Sequence, residues 1–248
     1  MFPIRDHNPS GTTPVVTFAL ILANVLVFAF SNDMLLSDSA LSRIYYDYAM
    51  IPARISAGEN YTAFVTSMFL HGGLLHLAGN MLFLWIFGDN LEDQMGHVQF
   101  GLFYLTAGIG AGLAQYLAAP WSGVPTIGAS GAIAGVMGGY LLFFPRARVD
   151  ILLFLVVFVR IFPVPAWIML GLWFAIQLFS GFSTDISQGG VAYWAHAGGF
   201  VLGTVLALPF WLHRGATRYW TRNDGQPPHP VAQYPTAMSG VPRVRRRR

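Results

Sequence analysis

The sequence predicts an all-α membrane protein, a bundle of six transmembrane helices, on three observations. Of 248 residues, 54% are hydrophobic and only 10% charged, against about a quarter charged in soluble domains, so too few charges exist to cover a water-facing surface. The mean hydropathy of +0.52 agrees, which sets soluble enzyme folds aside. The charges also stand between long apolar stretches: counting Asp, Glu, Lys and Arg, uncharged runs cover Asn8–Asn32, Asn60–Gly88, Gln94–Pro145, Ile151–Val159, Ile161–Thr184 and Ile186–His213.

A helix needs about 20 residues to cross the hydrocarbon core. The first run supplies a span at Pro14–Phe30; Arg5 and Asp6 precede it and no small-residue cleavage site follows, so it reads as a retained span. The second span is Leu74–Asp93. The 52-residue run Gln94–Pro145 holds two more, Phe100–Ala119 and Ser130–Phe144, broken by Pro120, Gly123 and Pro125. The fifth and sixth are Ala166–Gly181 and Gly190–Leu212. Between the fourth and fifth, the nine residues Ile151–Val159 are too short to span as a helix. They are β-branched and aromatic and precede Pro163 and Pro165, so an extended or interfacial segment on the membrane is expected.

The chain has no lysine, and its arginines set the topology. With an even number of spans, Arg5, Arg146, Arg148, Arg160, Arg214, Arg218, Arg222, Arg243 and Arg245–Arg248 share one side, and Arg43 and Arg54 lie opposite. The positive-inside bias makes both termini cytoplasmic; a nucleic-acid partner is not indicated. The expected organisation is a cytoplasmic segment over 1–13, a membrane domain over 14–214 and a disordered cytoplasmic tail over 215–248, rich in proline and ending in arginines. That tail reads either as a topology anchor or as a dock for anionic lipid head groups. The absence of cysteine excludes disulfides, thiolate nucleophiles and Cys-ligated metal sites.

Polar groups inside membrane helices are expensive, so they locate candidate chemistry. His76 and Asn80 are four residues apart, on one face of the second span; alone, such a pair reads as interhelical hydrogen bonding. Ser130 sits in Gly128-Ala129-Ser130-Gly131, where the chain turns into a helix beside unpaired backbone N–H groups; alone it reads as a cap. Ala132 and the lack of a preceding strand exclude the nucleophile elbow of soluble hydrolases. His196 lies in Ala195-His196-Ala197-Gly198-Gly199, with Gly203 one turn on. The fourth span offers the matching surface, since Gly131, Gly135 and Gly139 recur every four residues and let two helix backbones approach closely. Such an approach brings an imidazole within proton-transfer reach of a serine hydroxyl, and span topology places all four polar groups at similar depth, towards the outer face.

Taken together, His71 to Asn80 (His-Gly-Gly-Leu-Leu-His-Leu-Ala-Gly-Asn), Gly128-Ala129-Ser130-Gly131 and Ala195-His196-Ala197-Gly198-Gly199 with Gly203 resemble the rhomboid intramembrane serine proteases of the bacterial six-helix type, over about Pro14 to Leu212. The resemblance implies a rhomboid-like six-helix bundle in the bacterial cytoplasmic membrane, with Ser130 as nucleophile, His196 as general base, and His76 and Asn80 as oxyanion donors. It implies no acidic third member, no cofactor and no metal, and single-pass membrane proteins as substrates. Glu92 matches a family glutamate of structural role. Two positions depart from the family pattern. Ala134 stands where many members carry a tyrosine beneath the base, leaving the support of the His196 ring open, and Thr62-Ala63 replaces a Trp-Arg pair of the first outer loop.

The rival within the same fold is a non-catalytic membrane client-binding protein, but such relatives generally lack the serine or the histidine. A metal or haem protein using His71, His76, His97 and His196 lacks a His-Glu-x-x-His motif and an intramembrane carboxylate cluster. An aspartyl protease lacks a mid-span aspartate pair, Asp89 and Asp93 lying at one end of the second span. A transporter has only fold-level support.

Overall fold

The computed structural model describes residues 2–31, 36–155, 158–185 and 189–228. Each of the six predicted apolar segments is helical: α1 (Val15–Ser31), α5 (Leu74–Met95), α6 (His97–Ala118), α7 (Ser130–Phe143), α8 (Ala166–Ser183) and α9 (Tyr193–His213). Short helices α2 (Asp38–Tyr48), α3 (Pro52–Ser56) and α4 (Ala63–Thr66) fold the connection between α1 and α5, and α10 (Thr217–Asn223) follows α9.

Length and composition support fewer crossings than the six predicted. Among the described residues, α6, α8 and α9 are long and apolar enough to span, and residues 63–69 with α5 make a fourth only if this pair, bent by 99°, counts as one. The reason is geometric: α1 and α7 have 17 and 14 residues, and at 1.5 Å per residue α7 is about 21 Å long, short of a hydrocarbon core of about 30 Å. α7 instead lies inside the bundle, packed on α5, α6, α8 and α9, with nearly all its residues buried. A helix surrounded by protein can start below the membrane surface, because its exposed backbone ends face a protein-lined cavity rather than lipid.

The core is aromatic and aliphatic, built on Phe87, Leu91, Phe100, Tyr104, Met137 and Tyr140. Leu22, Phe30, Leu75, Leu102, Leu117 and Phe179 point outward and are exposed, an apolar surface of the kind that lipid covers. Glu92, near the end of α5, fastens α1. Its carboxylate accepts hydrogen bonds from the Val16 and Thr17 backbone N–H groups, 2.8 Å each, and from Thr17 Oγ1 at 2.7 Å. It therefore caps the first turn of another helix, where the orphan donors and the helix dipole favour a negative group.

The fold is not purely α. The stretch between α7 and α8 forms a hairpin of β2 (Arg148–Leu155) and β3 (Phe158–Pro165), and β1 (Phe2–Asp6) adds antiparallel to β2, giving a sheet of order β1-β2-β3. Of the extended segment expected at Ile151–Val159, residues 151–155 and 158–159 belong to a sheet that also recruits the N-terminal segment, and residues 156–157 lie outside the described residues. Backbone hydrogen bonding explains this: a nine-residue extended run next to a membrane leaves its N–H and C=O groups unpaired unless neighbouring strands take them. The tail also differs from expectation at its start, since α10 folds back. Trp220 Nε1 donates to the Leu142 carbonyl at 2.9 Å, Arg222 to the Arg214 carbonyl at 2.8 Å, and Arg146 pairs with Asp224. Trp211 and Trp220 pack at 4.7 Å between centroids, tilted by 49°, so apolar side chains override the breaker-rich composition. The terminal cluster Arg243 and Arg245–Arg248, with Pro230, Pro235 and Pro242, lies outside the described residues.

Asp150 ties β1 to β2. Its fully buried side chain meets Arg5 Nε at 2.7 Å and His7 Nε2 at 2.8 Å. Burial alone would raise its carboxyl, but the hydrogen bonds from His7 and Arg5 hold it below the usual aspartate range. A carboxyl depressed in the folded state stabilises the fold above its unfolded value of about 3.9, and that stabilisation is lost as pH falls through the folded value. Asp6, which accepts from Tyr140 Oη at 2.7 Å, is pushed well up by burial and has the opposite sign. The two separate when the wild type is compared with Asp150→Ala. We expect this variant to lose on the order of 3 kcal/mol near neutral pH, with the gap between the two thermal midpoints narrowing as pH falls below the ordinary aspartate value of about 3.9. An equal gap at pH 3 and pH 7 would show that Asp150 acts by packing alone.

Candidate active site

The linker between α6 and α7 is pinned before it reaches Ser130. Met50 and Thr126 exchange backbone hydrogen bonds of 3.1 and 2.8 Å, and Gly128 N–H donates to the Ser67 carbonyl at 2.9 Å, so the loop helices α2 to α4 help set where α7 begins. Gly128 has φ +118°, in the left-handed region, and a Cβ there would stand 2.9 Å from the His76 ring. Glycine is required on both counts. The chain then enters α7 with Ser130 in its first turn.

Across from it, α9 is seated by Gln115 of α6, whose Oε1 accepts from the Ala195 N–H at 3.2 Å. One residue later His196 projects towards Ser130, and its Nε2 lies 2.8 Å from Ser130 Oγ. Its other nitrogen, Nδ1, is 2.8 Å from Gln177 Oε1 of α8. Trp173, also on α8, packs on the ring at 5.7 Å between centroids, tilted by 35°.

His76 lies on the third side. Its Nδ1 accepts from the Gly72 backbone N–H at 3.3 Å, so in the neutral ring the proton sits on Nε2, beside the turn that delivers Ser130. His71 is buried and meets His76 edge-on at 5.0 Å, which fixes the ring from behind. Ser130, His196 and His76 open on one cavity of about 470 Å³, also lined by Gln115, Ser122 and Asp185. Asn80 is one turn deeper in α5, and its Nδ2 donates to the His76 carbonyl at 2.9 Å. The structure therefore brings three of the four candidate residues to the cavity wall and holds the fourth beneath them. Among the described residues, no three His, Asp or Glu side chains converge as metal ligands would.

Two polar residues escaped the reading of the sequence, Gln115 and Gln177. The same argument that singled out His76 reaches both, since each is an amide inside an apolar helix. What the sequence hid is the partner of each amide, lying 80 and 19 residues away.

This constellation can remove a proton from a hydroxyl, donate to a developing oxyanion from the His76 imidazole and the Ser130 N–H, and admit water. Residues 58–213 match the Rhomboid domain family. The chain is 34% identical over 147 residues to Rhomboid protein 1, mitochondrial, of Saccharomyces cerevisiae, covering 57% of this chain and 39% of that protein. It is 34% identical over 128 residues to Rhomboid protease GluP of Bacillus subtilis, covering 52% and 24%, and 39% identical over 88 residues to RHOMBOID-like protein 6, mitochondrial, of Arabidopsis thaliana, covering 36% and 28%. The chain thus spans well under half the length of these relatives. The family match takes in α5 to α9, more than half of the chain, with the serine, both histidines and the asparagine inside it, and on that extent the chain belongs to the rhomboid family.

Proposed function

We propose that this chain is an intramembrane serine endopeptidase that cuts single-pass membrane proteins within their transmembrane segments through an acyl-enzyme. The observation that carries this reading is the 2.8 Å contact between His196 Nε2 and Ser130 Oγ at the wall of a cavity. His196 takes the Ser130 proton as Oγ attacks the peptide carbonyl, and the carbonyl electrons move to oxygen. The Ser130 N–H and His76 Nε2–H stabilise that oxygen. Asn80 is the further donor, its amide turning from the His76 carbonyl towards the oxyanion. The imidazolium then protonates the leaving amine, the ester remains on Ser130, and water activated by neutral His196 releases the acid. A substrate helix must unwind to expose its carbonyl, so helix-destabilising residues near the cut favour cleavage. The arginine distribution supports a cavity facing away from the cytoplasm, the likeness to Rhomboid protease GluP of Bacillus subtilis suits a bacterial cytoplasmic membrane, and the terminal arginines suit anionic lipid.

The test is a fluorophosphonate probe on the purified protein in lipid, with the labelled residue mapped by mass spectrometry, beside cleavage of a transmembrane test substrate. Ser130 is expected to label and the substrate to be cut. Neither labelling nor cleavage would move the chain to the client-binding reading. A second expectation follows from the turn before Ser130. Gly128→Ala forces a side chain into the His76 ring at a left-handed φ and should lower kcat about 100-fold, with the thermal midpoint shifted much less. Unchanged kcat would remove His76 from the oxyanion site.

A further inference from the structure

Among the described residues His196 has no carboxylate partner, and Ala134 leaves no aromatic ring beneath it from α7. The group that meets its second nitrogen comes from α8. The inward face of this helix is narrow, comprising Ala166, Leu170, Gln177 and Gly181, while Trp167, Leu172, Ile176, Phe179 and Phe182 point out. Gln177 is 7% exposed. A buried amide in an apolar helix is unfavourable unless both its ends are satisfied. Here Nε2 faces the Trp173 carbonyl of its own helix at 3.5 Å, and Oε1 faces His196 Nδ1 at 2.8 Å. Reversing the amide would set oxygen against oxygen at Trp173, which favours the oxygen towards the histidine.

We propose that Gln177 is a positioning residue for the base: its side-chain oxygen accepts the His196 Nδ1–H and so holds the imidazole in the tautomer and orientation that present the Nε2 lone pair to Ser130. This rests on the reading of Ser130 and His196 as nucleophile and base. A neutral imidazole has one donor and one acceptor nitrogen. If Nε2 is to receive the serine proton, the ring proton must be on Nδ1, and a buried Nδ1–H needs an acceptor. Gln177 supplies one without a buried charge. The bond also survives the reaction, because the imidazolium formed after proton transfer still donates from Nδ1. Trp173, four residues earlier on the same helix, packs on the ring at a tilt, so α8 provides both the acceptor and an aromatic contact.

The alternative is a hydrogen bond that merely joins α8 to α9, and two readouts separate the two. Gln177→Met removes the acceptor at similar volume and should slow fluorophosphonate labelling of Ser130 and lower kcat by on the order of 100-fold, with KM little changed. Gln177→Glu keeps an acceptor oxygen in either protonation state and should recover at least about tenfold of that loss. A merely structural bond predicts instead a lowered thermal midpoint with labelling at the wild-type rate. The second readout needs no activity: ¹⁵N imidazole spectra of Ser130→Ala protein in lipid, with the His196 signal assigned by its loss in Ser130→Ala/His196→Ala. A single Nδ1–H tautomer that becomes mixed in Ser130→Ala/Gln177→Met supports the proposal. An Nε2–H tautomer, or spectra that Gln177→Met leaves unchanged, overturns it. If the wild type neither labels nor cleaves while the tautomer behaves as expected, the proteolytic reading fails and the positioning contact stands.

Discussion

Ser130→Ala and His196→Ala are each expected to lower cleavage on the order of 10⁶-fold, and the double variant to be no worse than either. The non-additivity is the informative part. If serine and histidine acted independently, their losses would multiply. If Oγ attacks only as His196 Nε2 takes its proton across the 2.8 Å between them, removing one makes the other idle. Residual cleavage in all three variants should be equal, supported by the oxyanion donors and substrate binding alone. Folding is a small concern for Ser130→Ala, which deletes one hydroxyl hydrogen bond worth about 1 kcal/mol. His196→Ala is more exposed to it, because Gln177 then keeps an amide without its ring partner, so activity must be compared at matched thermal midpoints and yields. Multiplicative losses, or cleavage retained in Ser130→Ala, would sink the dyad.

The six apolar helices were legible because their signal is long and one-dimensional: Gln94–Pro145 has no charge for 52 residues and a proline-rich break where α6 ends. Their number as membrane crossings was not, because composition reports apolarity and not whether lipid or protein surrounds it. α7 is as apolar as a span and yet only 14 residues long, buried by its neighbours. The sheet was half visible. Ile151–Val159 read as extended, but nothing in Phe2–Asp6 announces that it pairs with residues near 150, since strand pairing is set by tertiary proximity and five residues carry little pattern. In the site, His76, Ser130, His196 and Gln177 are all legible as polar groups in expensive places, but the sequence does not show that the Gln177 amide meets His196. Asn80 is a different case. Its spacing from His76 correctly gives a shared helix face, but a shared face does not say which neighbour the amide chooses, and it points back to the His76 carbonyl.

The small residues of α7 make the second large prediction, because they govern how close Ser130 and His196 can come. A Cβ on Gly199 would stand 2.1 Å from the Gly131 carbonyl oxygen, and one on Gly203 would stand 2.2 Å from that of Gly135. α6 closes the third side, with Ala111 Cβ 2.6 Å from the Cβ position of Gly131 and Ala107 Cβ 2.6 Å from that of Gly135. Three helices therefore meet over successive turns with almost no side chain between them. The obstructing atoms at Gly199 and Gly203 are backbone, so no rotamer change can relieve the clash and α9 must move away from α7. Gly199→Ala is expected to destabilise by about 1 to 3 kcal/mol, the range for overpacking in a dense core. It should lower kcat about 100-fold, because a shift near 1 Å carries His196 out of reach of Ser130. Gly203→Ala, two turns from His196, should cost similar stability but less activity. Gly171→Ala is the control: an added Cβ on this α8 residue meets nothing within 4 Å, so the change should be neutral or stabilise by up to about 1 kcal/mol through the unfolded chain. Thermal midpoints and cleavage rates of the three variants in lipid decide the matter. If Gly199→Ala matches Gly171→Ala in both, the close approach of α7 and α9 is not what holds the hydroxyl and the imidazole together.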